Sequence, residues 1–304
     1  MELYLSEKKT DEQIKLGEYF TFNDIINEDC DLYNKESEEL IFSFKKGIIP
    51  KELYDIDPKI VKHSKEGSVN RGNAAGSATT EGLLRGKENW KAKPKYLCDK
   101  DGNKIEDGKS SHTSYFKYED GRISKRMRSN TVSSQSIGGF SRNANLPCRL
   151  TYWTKNNLKS YESIFPLTTY ISDLYFSYCP DKWLNQYDKY KNSPEEYLIP
   201  DSNFSTLTIN QDFRTASHKD KGDCKTGLTC FTIKNCGEWS GGELCFPNYE
   251  LGINVEEGDL LLFNPHVTHS NNKLKGTGRM SFVLYLRDKM DKCYEGKHAL
   301  EKPN

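Results

Sequence analysis

Residues 217–223 read S-H-K-D-K-G-D, residues 256–272 read E-E-G-D-L-L-L-F-N-P-H-V-T-H-S-N-N, and residues 278–285 read G-R-M-S-F-V-L-Y. His218 and Asp220 stand two apart, His269 follows 51 residues after His218, and Arg279 lies ten beyond His269. Two imidazoles and one carboxylate can cap one face of an octahedral metal and leave three positions open. That is the facial triad of non-haem Fe(II) oxygenases. Nitrogen and oxygen donors without thiolate suit that ion, and the open positions take a bidentate cosubstrate and O2.

Arg279 adds the second half of the pattern. A planar guanidinium holds a carboxylate through two parallel hydrogen bonds. On a strand, Ser281 faces the same way as Arg279, because side chains alternate. Together the two could grip the distal carboxylate of 2-oxoglutarate while its keto-acid end chelates iron. His-x-Asp alone is a weak signal; followed by His and then Arg-x-Ser it is a strong one.

The texture around these residues is β. Short apolar runs at 204–209, 228–233, 243–246, 253–255, 260–263 and 280–286 alternate with turns, among them Gly241-Gly242 and Glu256-Glu257-Gly258-Asp259. Such spacing predicts a sandwich or barrel. The expected fold class is α+β: a double-stranded β-helix, or jelly roll, over about 148–290, with flanking helices and a loop-rich N-terminal half. Its two-sheet geometry brings ligands from distant strands to one mouth. Upstream, 165–190 carries Leu167, Ile171, Leu174, Tyr175 and Tyr178 near helical spacing, with Pro180 to kink or split the helix. Residues 150–154 read as a short strand. Trp153 and Trp183 are expected in the core, and His63, His112 and His298 at the surface.

The remaining chain divides into an acidic segment, 1–64, expected to be helical or irregular, and a catalytic domain, 65–304. Residues 1–60 hold 15 acidic against 8 basic side chains, and residues 61–130 hold 16 basic against 9 acidic. The basic stretch includes Lys91, Lys93, Lys95, Arg122, Lys125, Arg126 and Arg128, which a phosphate backbone or plain solvent could face equally well. Residues 64–146 are rich in Gly, Ser and Asn and read as surface loops able to embrace an extended ligand. Within them Arg71–Gly76 is small and flexible, and Ser136–Phe140 allows close backbone approach because glycine lacks Cβ.

Net charge over the 304 residues is zero, so the chain is not a simple basic nucleic-acid binder. Aromatics make up 12%, enough to build a core despite a mean hydropathy of −0.81. The nine cysteines form no Cys-x-x-Cys pair and are expected to be free thiols. There is neither a signal peptide nor a run of ~18 apolar residues, so an intracellular protein without membrane contact is expected.

The segments H-K-D-K-G-D (218–223), W-S-G-G-E-L-C-F-P (239–247) and C-R-L-T (148–151), with the His269-to-Arg279 spacing, resemble the TET/JBP family of Fe(II)- and 2-oxoglutarate-dependent nucleobase oxygenases. The resemblance covers roughly 70–287. It implies His218, Asp220 and His269 as iron ligands, the last preferred over His266 because of its distance from Arg279. It implies Arg279 on 2-oxoglutarate with Ser281 helping, and Arg214 as a second arginine near the cosubstrate. Asp223 would meet the cytosine amino group, Tyr285 would stack on a flipped base, and Arg287 replaces a His at the neighbouring recognition position. Asn73 is a further base-contact candidate. The implied activity is hydroxylation of 5-methylcytosine in duplex DNA, with further oxidation of the product allowed. The alternatives are thymine hydroxylation, or the same chemistry on a small molecule or protein side chain. Fe(II), 2-oxoglutarate, O2 and methylated DNA are the implied partners of a monomer, nuclear if eukaryotic.

Overall fold

Strands dominate this computed structural model, which describes residues 1–69, 71–85, 94–107, 113–143, 146–295 and 299–300. They are β1 (Glu2–Leu5), β2 (Ile25–Ile26), β3 (Cys30–Asn34), β4 (Leu40–Lys45), β5 (Gly67–Ser68), β6 (Pro94–Cys98), β7 (Tyr115–Tyr118), β8 (Val132–Phe140), β9 (Arg149–Leu150), β10 (Thr206–Gln211), β11 (Thr229–Asn235), β12 (Trp239–Gly241), β13 (Leu244–Phe246), β14 (Leu251–Ile253), β15 (Leu260–Phe263), β16 (Ser270–Asn271), β17 (Leu274–Gly276) and β18 (Arg279–Tyr285). The helices are α1 (Pro58–Ser64), α2 (Thr80–Leu84), α3 (Tyr152–Asn156), α4 (Leu158–Glu162), α5 (Phe165–Tyr178) and α6 (Pro180–Lys191).

The large sheet runs β1-β3-β4-β15-β11-β18-β10-β8-β5, with β9 added to β8, and the smaller sheet runs β16-β13-β14-β2. The two sheets make the expected jelly roll. Period-two alternation fixes which residue faces which layer. Cys230 pairs with Leu284 across β11 and β18, and Phe231 with Val283. The first pair joins Leu207, Leu262 and Phe282 under Leu167, Ile171 and Tyr175 of α5. The second faces the smaller sheet with Phe263, Leu244, Phe246 and Ile253. Each such burial stabilises by ~1.5–3 kcal/mol, so a one-residue register slip would forfeit both layers together. The helix split holds too: Pro166 sits in the first turn of α5 and Pro180 opens α6, where the missing N–H costs nothing.

Four expectations are corrected. Residues 1–64 are strand-rich: β4 pairs with β15, placing Phe42 opposite Phe263 and Phe44 opposite Leu261, and β3 and β1 extend the same sheet. Of residues 150–154 only Leu150 is strand, ending β9; 152–154 open α3, because the Thr151 hydroxyl accepts from the Thr154 N–H and caps it. The loop-rich stretch contains β8, nine residues long and paired with β10. There the close approach is real, since a Cβ on Gly139 would sit 2.0 Å from the Tyr197 carbonyl. Cys148 and Cys293 form a disulfide, with Cα atoms 5.6 Å apart across 145 residues, while the other seven cysteines are free.

His63 is buried and stacks on Trp153 at 4.9 Å, rather than standing at the surface. Trp153 and Trp183 pack half-buried against the helix-side core. His112, His298, Lys91 and Lys93 lie outside the described residues. Among the described residues no helix is long and apolar enough to cross a membrane.

Candidate active site

The inner face of β18 presents Arg279, Ser281, Val283 and Tyr285, and the chain continues to Arg287. Beside it, β10 offers Thr208 and Asn210, β8 offers Ser134, and β11 offers Phe231. With the loops at 71–74 and 213–223, all of these except Arg279 and Ser281 line a cavity of about 380 Å³.

The loop after β10 and the loop after β15 meet at its wall. His218 and His269 lie opposite each other, and each N–H donates to the other's carbonyl at 3.0 Å. The Asp220 N–H donates to the Pro265 carbonyl at 2.9 Å, fastening the two loops again. Each ring is then aimed by its own backbone. Nδ1 of His218 reaches the Ala216 carbonyl at 2.8 Å, and Nδ1 of His269 the Val267 carbonyl at 2.9 Å. A carbonyl can only accept, so Nδ1 carries the proton and Nε2 keeps its lone pair for a metal. The Nε2 atoms stand 3.8 and 3.3 Å from the Asp220 carboxylate, and the three donor atoms lie within 4.8 Å of one another.

Electrostatics prepare the same donor set. Burial, with a smaller push from His269, lowers the His218 pKa to about 4, so this ring is neutral at physiological pH. Burial works against ionising Asp220, but the two imidazoles and Arg71 outweigh it and hold the carboxylate below its usual range. Neutral imidazole and ionised carboxylate are the states a divalent ion needs. His266 is not among the cavity residues, and its buried Nε2 has no hydrogen-bond partner.

Arg279 sits 3% exposed at the start of β18, its guanidinium 5.7 Å from the Phe231 ring and 5.5 Å from the Trp239 ring. Its buried Nε has no hydrogen-bond partner and, among the described residues, it forms no ion pair. Arg279 and Ser281 lie behind the cavity wall, not on it. Ser281 accepts from Asn210 Nδ2 at 3.2 Å, and Asn210 in turn accepts from Ser134. Gly242 stays bare beside Arg279; at φ +74° a Cβ there would sit 3.2 Å from Arg279 Nε.

Arg214 is a correction. It turns away from the cavity, donating to the carbonyls of Asn271 and Phe20 at 3.1 and 2.9 Å and covering the Tyr19 ring at 4.7 Å. It ties the N-terminal segment to the jelly roll and is not among the residues that line the cavity.

The other expected residues do converge. Asn73, Asp223, Tyr285 and Arg287 all line the cavity. The Tyr285 hydroxyl bonds Thr208 Oγ1 at 3.1 Å and accepts from Arg287 Nη2 at 3.1 Å, so its ring is fixed in the wall. Arg287 lies 4.4 Å from the Phe140 ring. Burial, then the Asp220 charge, push the Asp223 carboxyl well above its usual range, against a bond from Thr229 and the nearby Arg287. One residue escaped the sequence reading. Arg71 lines the cavity, donates to Ser136 Oγ at 3.1 Å and keeps a buried Nε without a partner. Its only sequence signal is a lone cation ahead of the Gly-Asn-Ala-Ala-Gly run.

A jelly roll that gathers His-x-Asp and a distant His at one cavity, with a buried arginine on the following strand, defines the class of Fe(II)- and 2-oxoglutarate-dependent oxygenases. The chain belongs to the Tet_JBP family, the oxygenase domain of the 2OGFeDO superfamily, which residues 136–288 match. It is 38% identical over 148 residues to thymine dioxygenase JBP1 of Trypanosoma brucei brucei, a span of 47% of this chain and 17% of that one. It is 36% identical to thymine dioxygenase JBP1 of Crithidia fasciculata over 148 residues, 47% of this chain and 18% of the other. The chain thus spans less than a fifth of these relatives. Among solved structures, NgTET1 in complex with 5mC DNA superposes with a TM-score of 0.50 at 12% identity, over 89% of this chain and 85% of that one. That likeness concerns the fold alone. The superfamily's cofactors are Fe(II) and 2-oxoglutarate, and the residues present fit both: three convergent donor atoms for the metal, and a buried guanidinium with an unspent donor for the diacid.

Proposed function

We propose that this chain hydroxylates the C5 methyl group of thymine in DNA, as an Fe(II)- and 2-oxoglutarate-dependent dioxygenase. The observation that carries the chemistry is the cluster of His218, Asp220 and His269 in one cavity. The base assignment reverses the order expected from sequence, which put 5-methylcytosine first. Two considerations support thymine. The relatives named above are thymine dioxygenases. The cavity wall is also rich in donors: Arg71 and Arg287 each hold a buried, unpartnered Nε–H, and guanidinium cannot accept. Thymine offers the carbonyl O4 where cytosine offers an amino group.

Bound iron and 2-oxoglutarate supply the oxidising chemistry: O2 decarboxylates the keto acid to succinate, and one oxygen atom is inserted into a C–H bond. The chain's own residues position the partners for it. His218, Asp220 and His269 would hold the metal. Arg279, with Ser281 beside it, neutralises the far carboxylate of 2-oxoglutarate. A methyl carbon inside a duplex cannot reach this cavity, so the base is flipped out at a cost of a few kcal/mol. Contact with Tyr285 and hydrogen bonds with Arg71, Arg287 and Asn73 would offset that cost, and the fixed Tyr285 ring would orient the base.

Duplexes carrying thymine or 5-methylcytosine, incubated with Fe(II) and 2-oxoglutarate, are expected to yield 5-hydroxymethyluracil ahead of 5-hydroxymethylcytosine by mass spectrometry. If only 5-hydroxymethylcytosine forms, the base assignment fails. If succinate rises with a free amino acid and never with DNA, the DNA assignment fails. Arg287→Gln, which can accept as well as donate, is expected to narrow the thymine preference by ~10-fold or more, since one good base contact discriminates by ~1–3 kcal/mol.

A further inference from the structure

The acidic segment before β2 wraps the two loops that carry the candidate iron ligands, and it lies outside the stretch that matches the family. Four of its contacts fall on residue 217, directly before His218, among them the Glu18 N–H donating to the Ser217 hydroxyl at 3.2 Å. The Gly17 N–H donates to the Ser217 carbonyl at 2.8 Å, the Ser217 N–H to the Glu18 carbonyl at 2.8 Å, and the Ser217 hydroxyl to the Lys15 carbonyl at 2.9 Å. Ser217 is fully buried beneath them.

The Asp11 carboxylate joins the two loops. One oxygen pairs with Nζ of Lys219, the residue between His218 and Asp220. The other accepts from Thr268 Oγ1 at 3.1 Å, the residue before His269, and from Asn248 Nδ2 at 3.2 Å. Asn248 is itself held by the strap: its carbonyl accepts from the Lys8 and Lys9 N–H groups at 2.8 and 3.2 Å, and its Nδ2 donates to the Lys9 carbonyl at 3.1 Å. A single side chain thus clips the neighbours of all three ligands. An exposed ion pair alone contributes little. Here the charge lies in a bonded network, and its partners sit one residue from the donor atoms whose mutual distances decide metal affinity.

We infer that Asp11 is a positioning residue for the metal centre, setting the spacing of the His218–Asp220 loop against the His269 loop without touching the metal. The inference rests on the metal reading above.

The test is anaerobic Co(II) titration of the full chain followed by absorbance, with thermal melting of the metal-free protein alongside. Asp11→Asn and Lys219→Met are each expected to weaken Co(II) binding by about 10-fold, the lower end of what support residues of metal ligands cost. The double variant should be scarcely weaker than either single one, because the two partners share one interaction. Asp31→Asn is the control. Asp31, on β3, pairs with Lys45 of β4 at 2.9 Å and bonds to neither ligand loop. It should lower the metal-free melting temperature and leave Co(II) affinity unchanged. Wild-type affinity in both Asp11→Asn and Lys219→Met overturns the proposal, as does an equal loss of affinity in Asp31→Asn, which would mark a general loosening. If the wild type binds Co(II) no better than His218→Ala, the metal reading beneath it fails instead.

Discussion

Asp220→Ala is expected to abolish metal retention and the proposed base hydroxylation while the protein stays folded. Asp220 is the only anionic member of the donor set, and without it two imidazoles with ring centroids 4.3 Å apart remain. Losing a supporting residue around a metal costs ~10–100-fold; losing a ligand of a three-ligand site exceeds that range, and turnover falls to the no-enzyme background. Folding is expected to survive. The loops are still bonded through the reciprocal His218 and His269 backbone contacts and the Asp220 N–H, which alanine keeps. The Asp223 carboxyl, pushed up by burial and by the Asp220 charge, loses the second of these influences. The measurements are metal content after anaerobic loading, product by mass spectrometry, and the melting curve. A variant that holds iron and still oxidises DNA removes Asp220 from the site, and with it the assignment of the cavity.

The parts of this site that were legible in sequence are those where chemistry restricts residue type at short spacing. His-x-Asp, the following His and the Arg-x-Ser strand are local patterns, and β18 keeps its period of two, so Arg279, Ser281, Tyr285 and Arg287 fall on one face as the pattern requires. What escaped depends on long-range pairing. Strands β1, β3 and β4 look like irregular acidic chain because their short apolar runs are set among acids and lysines, and only pairing with β15 reveals the buried face of Phe42 and Phe44. Arg71 carries no motif; its meaning comes from β8, whose Ser136 receives it. Arg214 is close in sequence to the ligands, yet the strap at 19–21 captures it. Proximity along the chain was a poor guide because the extended stretch after β10 alternates its side chains between the cavity and the N-terminal segment. The disulfide joins residues that no spacing rule relates.

Arg279→Met is expected to separate function from stability, and in opposite directions. In the metal-free, cosubstrate-free protein this guanidinium is buried and, among the described residues, pairs with no carboxylate. Burial lowers its pKa to about 10, with Glu243 and Asp212 opposing. The sign follows from linkage. A base whose folded-state pKa is depressed destabilises the fold wherever it is charged in both states, so the cost is present throughout the range below about 10 and fades only above it. At ~1.4 kcal/mol per pKa unit the cost is on the order of 3 kcal/mol at neutral pH, reduced in practice by the Phe231 and Trp239 rings beside the cation. Methionine fills similar volume without charge, so the metal-free variant should melt at the same temperature or higher. Cosubstrate binding moves the other way. Truncating one partner of a buried, hydrogen-bonded charge pair costs ~2–5 kcal/mol, which is roughly 30- to several-thousand-fold in the KM for 2-oxoglutarate. Arg279→Lys keeps the charge and loses the planar fork, so it falls between. Co(II) affinity should be unaffected in both, because Arg279 touches none of the three ligands. A melting temperature that drops sharply with KM unchanged would make Arg279 a structural cation, and the diacid would have to be held elsewhere in the cavity.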